Sequence, residues 1–285
     1  MTTIDASPRF LRPGALHEIL LKLARLRVVE PEVVGLQAVI RPGDQVFDVG
    51  AGYGMYSFPL AQLVGGSGRV HSFEPQPHQG RVLRLIRRLS GSGQINITKG
   101  ALGAGHGEHS LVLPTRFGIP IHGHAHVAEG VQQVRTPSFG SSRNQATSMT
   151  TIDSWCAAND VGPVSFIKVD VEGFEPDVLD GTTGTIDAWR PSLLLEIEDR
   201  HVSRYGRDAN QFADAIRDRW PEYGMYTWTG SSWHPAERVR LGVRNYLFAT
   251  KTAFSRGGTV GTPGIPVMTT AADASVPAAA APAVP

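Results

Sequence analysis

The chain has one cysteine, Cys156, in 285 residues, which excludes an intrachain disulfide framework. It also lacks a long uninterrupted apolar run. The stretch from Ile19 to Leu26 is broken by Lys22 and Arg25, and the run Ala279-Ala280-Ala281 is short and flanked by proline. Spanning a bilayer takes roughly 18 or more apolar residues, so neither reads as a signal, a span or an anchor, and stable membrane insertion is not expected. An excess of either charge is missing too. Lys and Arg number 27 against 26 Asp and Glu, a formal net charge of +1 that offers no field for tracking phosphate and argues against nucleic acid as a partner. A cytoplasmic location is the default expectation. The 41% hydrophobic and 19% charged content suits one large α/β domain with appendages.

The two ends differ from the middle. From residue 255 to 285 the chain is Gly, Thr, Pro, Ala and Val, with only Arg256 and Asp273 charged and no periodicity, and a disordered tail is expected. Residues 1–43 read as a helical extension. Leu16, Ile19, Leu20, Leu23 and Leu26 share a helical stripe, and a second helix is expected from Pro31 to Ile40, stopped by Pro42-Gly43-Asp44. The stripe suits core packing; cover for a substrate mouth and a homodimer contact are the alternatives.

Between these ends, residues 44–254 alternate strand and helix signals. Strands are expected near Gln45–Val49, Arg69–Phe73, Ile95–Lys99, Ser165–Val169 and Leu193–Ile197, with Met225–Trp228 and Tyr246–Thr250 closing the sheet across a loop from Thr229 to Pro235. A helix is expected from Asp208 to Trp220 on the apolar spacing of Phe212, Ile216 and Trp220. The pattern predicts an α/β fold with a doubly wound, mostly parallel, seven-stranded sheet.

The first chemically informative stretch is Val46-Phe47-Asp48-Val49-Gly50-Ala51-Gly52-Tyr53-Gly54, an apolar strand entering a glycine turn where backbone can approach a nucleotide-like ligand closely. Twenty residues past Gly54 a second apolar strand ends in Glu74, whose carboxylate can accept from both ribose hydroxyls of an adenosine. A dinucleotide turn needs Gly-x-Gly-x-x-Gly, and the third position here is Met55. The spacing Gly50-x-Gly52-x-Gly54 after Asp48 resembles instead the glycine motif of S-adenosylmethionine-dependent methyltransferases. On that reading Gly50, Ala51, Gly52 and Gly54 approach the methionine part of the cofactor, Tyr53 contacts it, and Asp48 organises the turn or binds the amino group. An NAD-dependent oxidoreductase and a noncatalytic nucleotide-binding module are the competing classes, and tight packing alone also favours such glycines.

The second stretch is Phe166-Ile167-Lys168-Val169-Asp170-Val171-Glu172-Gly173-Phe174-Glu175, where a strand with Phe166, Lys168 and Asp170 on one face carries charge into a buried setting. Leu193-Leu194-Leu195-Glu196-Ile197-Glu198 repeats the anomaly. Ligands of open α/β sheets bind beyond the carboxyl ends of the strands, where both acidic groups fall. Lys168 also reads as scaffold, neutralising Asp170 or Glu196.

Residues 167–175 resemble the signature of the FkbM family of S-adenosylmethionine-dependent methyltransferases, and the order of the other segments agrees. Val46 to Gly54 is similar to the family's cofactor turn, Phe73-Glu74-Pro75 to its ribose-binding acidic end, Ala101-Leu102-Gly103 to the turn after its third strand, and Thr151-Ile152-Asp153-Ser154 to the segment before its signature strand. The resemblance, over about residues 44–251, implies a Rossmann-like methyltransferase fold, S-adenosyl-L-methionine as cofactor with Pro75, Ala101 and Leu102 near its nucleoside, and usually O-methylation. The partner so implied is a hydroxylated small molecule or glycan, such as a sugar, glycolipid or secondary metabolite.

Methyl transfer to oxygen needs the acceptor held in line and relieved of its proton. Asp170, Glu172, Glu198 and His201 are the candidate catalytic residues, His201 being the cleanest base from its ordinary pKa near 6.5. The family pattern often has a histidine directly after the fifth-strand glutamate, where this chain has Glu198. Asp170, Glu172 and Glu198 could also hold Mg²⁺ if the reaction is metal-dependent. Residues 114–147 read as a long irregular acceptor lid, with His122, His124, His126 and Arg116, Arg135 or Arg143 facing the acceptor.

Overall fold

The computed structural model describes residues 15–25, 30–116, 119–120, 125–131 and 142–255. In chain order the strands are β1 (Gln45–Val49), β2 (Arg69–Phe73), β3 (Ile95–Thr98), β4 (Ala101–Leu102), β5 (Gly107–Arg116), β6 (Ile119–Pro120), β7 (His126–Val127), β8 (Ser142–Thr150), β9 (Val164–Val169), β10 (Ser192–Glu196), β11 (Gly224–Trp228), β12 (Trp233–Pro235) and β13 (Asn245–Ala249). The helices are α1 (Ala15–Arg25), α2 (Ser57–Val64), α3 (Pro77–Ser90), α4 (Ile152–Ala158), α5 (Glu175–Asp180), α6 (Thr183–Trp189), α7 (Asp199–Val202), α8 (Ala209–Arg219) and α9 (Lys251–Ser255), with 3-10 turns at Pro31–Ala38 and Ser203–Tyr205.

The main sheet runs β12-β11-β13-β10-β9-β1-β2-β3. The five strands from β10 to β3 are parallel, and β13, β11 and β12 are antiparallel to their neighbours. Consecutive apolar residues on the central strands bury both faces, as a parallel sheet under helices on both sides requires. On β10, Leu193 and Leu195 join one apolar cluster and Leu194 the other; on β1, Phe47 and Val46 divide in the same way. This is a Rossmann-like, doubly wound α/β fold.

The sheet has eight strands where the sequence predicts seven. The eighth, β12, lies inside the segment read as a loop. The Thr229 amide bonds the Ser232 carbonyl at 3.0 Å, folding Trp233 back onto Trp228, and the two indoles meet edge to face at 5.3 Å. The same Trp233 explains why Pro31–Ala38 is a 3-10 turn and not an α-helix. Its indole N–H takes the Gly35 carbonyl at 3.0 Å, and the Val39 amide turns to Leu36 instead. Val33, Leu36, Val39 and Ile40 share a core with Val46, Phe58 and Leu60, so this N-terminal segment packs into the core beside β1 and α2. On α1, Ala24 is buried and Ile19 is half exposed. The tail read from residue 255 lies outside the described residues beyond Ser255.

The stretch 114–147 departs from the irregular reading at both ends. β5 and β8 form a long antiparallel pair, with Gly107 opposite Met149 and Pro114 opposite Ser142, in a second, smaller sheet with β4, β6 and β7. His126 lies in β7 opposite Val112, and Arg143 in β8 opposite Leu113. His122, His124 and Arg135 lie outside the described residues. Tyr205 fastens this sheet to the body by donating to the Val127 carbonyl at 2.9 Å.

Leu194 is fully buried at the middle of the main sheet. Its replacement by alanine should cost about 2–5 kcal/mol in urea unfolding; a loss below about 1 kcal/mol would contradict a two-faced core at β10.

Candidate active site

Three parallel strands end side by side and deliver the site. Past β1 the chain turns sharply at Gly50, and the amides of Gly50 and Ala51 both donate to the Phe73 carbonyl, at 3.0 and 2.9 Å. Gly50 has φ +82°, and a Cβ there would fall 1.9 Å from the Asp170 carbonyl oxygen, so only glycine lets β1 and β9 end in contact. The resulting cleft, of about 440 Å³, is lined by Asp48, Gly50, Ala51, Gly52, Tyr53, Glu74, Pro75, Ala101 and Leu102, and at its other end by Glu30, Lys168, Asp170, Glu172 and Arg244. Gly54 is absent from the lining. Its would-be Cβ meets Phe58 and Leu83, so it serves the packing of α2 and α3 beneath the turn.

Glu74 is buried, with one carboxylate oxygen accepting from the Gly52 amide at 2.8 Å and the other from the Gln76 amide at 2.7 Å. Burial, opposed by those two amides, pushes its carboxyl up to about 7. Asp48 is buried against the Ser57 hydroxyl, which bonds Ser72 in turn at 2.9 Å, and burial raises it to about 6. That engagement ties Asp48 to the start of α2. Tyr53, at the rim, is 42% exposed and its ring stands edge-on to His78.

At the other end the groups are buried and interlocked. Lys168 is fully buried; its ammonium bonds the Asn245 side-chain oxygen at 2.8 Å, lies 3.7 Å from Asp170 and sits 5.0 Å from the centre of the Tyr56 ring. Burial works against its charge, but Asp170, Glu30, Glu196 and Asp48 outweigh it and hold its pKa above the ordinary value. Glu30 accepts from the Tyr56 hydroxyl and from Asn245 at 2.9 Å. Glu196 is ion-paired to Arg244 and faces His201. Burial opposes its charge as well, yet His201, Asp170, Lys168 and Arg244 hold it ionised, below the carboxylate range. Burial and that neighbouring negative charge hold Asp170 well above its range, against the pull of Lys168. Two carboxyls this close and this dry titrate as a pair and do not ionise together.

Glu172 reaches the cleft through an unusual turn. Its backbone is left-handed, φ +59°, and the next residue is Gly173 at φ +102°, where a Cβ would lie 2.3 Å from the His201 carbonyl. Glu175 fastens this turn by accepting from the Val171 and Gly173 amides at 3.0 and 3.2 Å. Burial, reinforced by Glu196 and opposed by Arg204, pushes the Glu172 carboxyl up to about 8. His201 is buried behind it, 3.1 Å from the Glu172 carboxylate and 3.5 Å from that of Glu196.

Of the four candidate catalytic residues, then, Asp170 and Glu172 line the cleft, His201 backs Glu172, and Glu198 is turned away. Arg200 and Arg244 each bond Glu198 at 2.6 Å, and although partial burial opposes its charge, these bonds keep its carboxyl below the ordinary range. Sequence reasoning missed Glu30, Tyr56, Arg244 and Asn245, and from the second sheet Leu111 and Val127, which wall the cleft with Phe174. Asn245 carried a signal, a polar residue opening an otherwise apolar strand; Glu30 and Arg244 carried none.

The expected Mg²⁺ set of Asp170, Glu172 and Glu198 does not converge. Among the described residues the groups whose ligand atoms lie within 4.8 Å of one another are Glu172, Glu196 and His201, and Glu30, Asp170 and Glu196. Both need Glu196, which Arg244 already holds, and Lys168 stands over the second. Protein cations therefore already answer the carboxylate common to both groups, which a Mg²⁺ ion would have to compete for.

The family model of the methyltransferase FkbM domain matches residues 48–224, more than half of the chain. No curated protein matches significantly. Among solved structures the chain is similar to the methyltransferase FkbM of Methylobacillus flagellatus KT, at 16% identity and a TM-score of 0.44, over 82% of this chain and 59% of that one. It thus spans about three fifths of that protein's length. It is also similar to a SAM-dependent O-methyltransferase of Thermotoga maritima, at 13% identity and TM-score 0.42 over 81% of this chain and 71% of that one. A third is the fibrillarin of Aeropyrum pernix with natively bound S-adenosyl-L-methionine, at 11% identity and TM-score 0.42 over 78% and 74%.

The raised carboxyls have a consequence for stability. Glu172, Glu74 and Glu175 have folded pKa values of about 8, 7 and 7 against an ordinary 4.5. Between pH 5 and 8 the folded state therefore holds more protons than the unfolded one, so the stability these groups give below pH 4.5 is lost as pH rises through 7 to 8. The depressed Glu196 and Glu198 act only below 4.5. Urea unfolding of the ligand-free protein should show stability falling from pH 5 to pH 8, with a shallower fall in Glu172→Gln; a rise across that window would contradict the burial of these acids.

Proposed function

Because the chain belongs to the FkbM methyltransferase domain family, we propose that it is an S-adenosylmethionine-dependent O-methyltransferase acting on a hydroxyl of a small molecule or glycan, such as a sugar, glycolipid or secondary metabolite. The observation that carries this reading is the division of one cleft into two chemically different ends. The glycine turn and Glu74 form one end; the buried carboxyls Asp170 and Glu172 form the other.

The residues at the first end fit the donor. Each Glu74 oxygen accepts one amide and keeps a lone pair for a ribose hydroxyl, and the glycine turn admits the methionine part without side-chain obstruction. When bound, S-adenosylmethionine supplies a sulfonium methyl group that leaves with its bond electrons kept by sulfur. At the second end, Glu172 is placed to take the proton of the acceptor hydroxyl as the new carbon–oxygen bond forms. A carboxyl with a pKa of about 8 is a far stronger base near neutrality than an ordinary glutamate, once its own proton has left. His201, 3.1 Å behind it, orients that carboxylate. Asp170, beside Glu172 in the lining, can hydrogen-bond an acceptor oxygen. The apolar wall of Leu111, Val127 and Phe174 keeps water from the transferred methyl group, and the β5–β8 pair serves as the acceptor lid. A metal has no part in this scheme.

Two experiments test it. Methyl transfer from radiolabelled S-adenosylmethionine to a panel of hydroxylated sugars and glycolipids should fall about 10²–10⁴-fold in Glu172→Gln, while S-adenosylhomocysteine affinity stays within about twofold of the wild type. Unchanged transfer would remove Glu172 from the role. Second, ribose hydroxyls donate to the ionised form of Glu74, so S-adenosylhomocysteine should bind more tightly as pH rises to about 7 and level off above it, with proton release seen by calorimetry. Glu74→Gln should weaken binding by about 1–3 kcal/mol and flatten the pH profile; a flat profile in the wild type would contradict the ribose contact.

A further inference from the structure

One polar group in the cleft has no part in the scheme above. Gln79 lies in the first turn of α3, three residues past the capping Gln76, is 4% exposed, and lines the cleft with Glu74, Pro75 and Gln76. Its side-chain carbonyl oxygen is buried and has no hydrogen-bond partner. A glutamine serving only to fill that space would be a poor choice beside methionine or leucine, because its side-chain oxygen surrenders hydrogen bonds to water and regains none. Buried side-chain oxygens are normally paired, and an orphan on a residue that lines a cleft marks a place for a ligand's donor group.

The neighbours of Gln79 indicate which part of the ligand that is. Glu74, at the end of β2, already answers the ribose hydroxyls. The cleft wall on the nucleoside side includes Ala101 and Leu102, whose side chains carry no hydrogen-bonding group. Those residues offer an apolar surface for a base and leave its polar edge unanswered. A carboxamide holds an acceptor beside two donors, the complement of the amine and ring nitrogen of adenine. We propose that Gln79 recognises the adenine of the donor, its carbonyl oxygen accepting from the exocyclic amine. The proposal rests on the reading of this cleft as a site for S-adenosylmethionine and makes Gln79 the residue that distinguishes an adenine nucleoside from one lacking that amine.

The test is calorimetric titration of the full chain with S-adenosylhomocysteine, with its 6-deamino analogue, whose purine carries hydrogen in place of the amine, and with the 2′-deoxy analogue of S-adenosylhomocysteine. Wild-type protein should prefer the adenine ligand over the deaminated one by about tenfold, and Gln79→Met, an unbranched replacement of similar volume, should erase that preference by weakening the adenine ligand alone. Gln79→Asn, checked by circular dichroism like the first variant, keeps the amide but shortens its reach, and should also lose the preference. Equal binding of both bases by the wild type would overturn the proposal, as would a preference that survives in Gln79→Met. Loss of discrimination against the 2′-deoxy analogue instead would move the contact to ribose and overturn the adenine assignment. If the wild type bound none of the three, the donor reading of the cleft itself would fall.

Discussion

A fully buried ammonium in the central strand is the constraint around which this site is organised. Lys168 sits mid-sheet between Asp48 on β1 and Leu194 on β10, and a charge there is tolerated only when paired and hydrogen-bonded. Its partners come from every part of the chain: Asp170 from its own strand, Asn245 from the last strand, the Tyr56 ring from the glycine turn. Glu30, from the N-terminal segment, is held to Tyr56 and Asn245. Leaving such a charge without partners costs about 3–5 kcal/mol, which fixes these elements against one another and draws carboxyls to the mouth of β9. A parallel sheet then ends in a cluster of acids that share protons, because they are too close and too dry to ionise together.

The same close approach separates the two ends of the cleft. Gly50 lets β1 touch the Asp170 carbonyl, so the glycine turn and the acidic group are adjacent but chemically distinct. The left-handed Glu172, locked by Glu175 and crowded against His201 at Gly173, shows backbone strain held where a side chain must reach the cleft. The second sheet completes the enclosure through Tyr205 and through Gln145, which donates to the Pro75 carbonyl at 3.2 Å.

Much of this was legible in the residues and some was not, for physical reasons. β1 and β2 begin and end where the sequence places them, because each carries valine and phenylalanine into a buried setting and is stopped by Gly50 or Glu74. Glu74 and the glycine turn were readable as local patterns, and all the donor-side residues except Gly54 line one cleft. The β8 strand was not readable. SRNQATSMT has no apolar alternation, since most of its residues face solvent and the backbone ladder to β5 holds it. Glu30 and Arg244 escaped because their importance comes from contacts between distant parts of the chain, as when Asn245 reaches Glu30. Glu198 misled for the converse reason. Two residues past Glu196, it shares that strand's face by period, yet the chain bends into α7 and two arginines claim it.

The most direct test is a crystal structure of the protein with S-adenosylhomocysteine. The account predicts ribose hydroxyls on the two Glu74 oxygens and a sulfur atom facing Asp170 and Glu172 across the Gly50 turn. A nucleoside bound away from Glu74, or a sulfur pointing away from those two carboxyls, would contradict the assignment of the cleft.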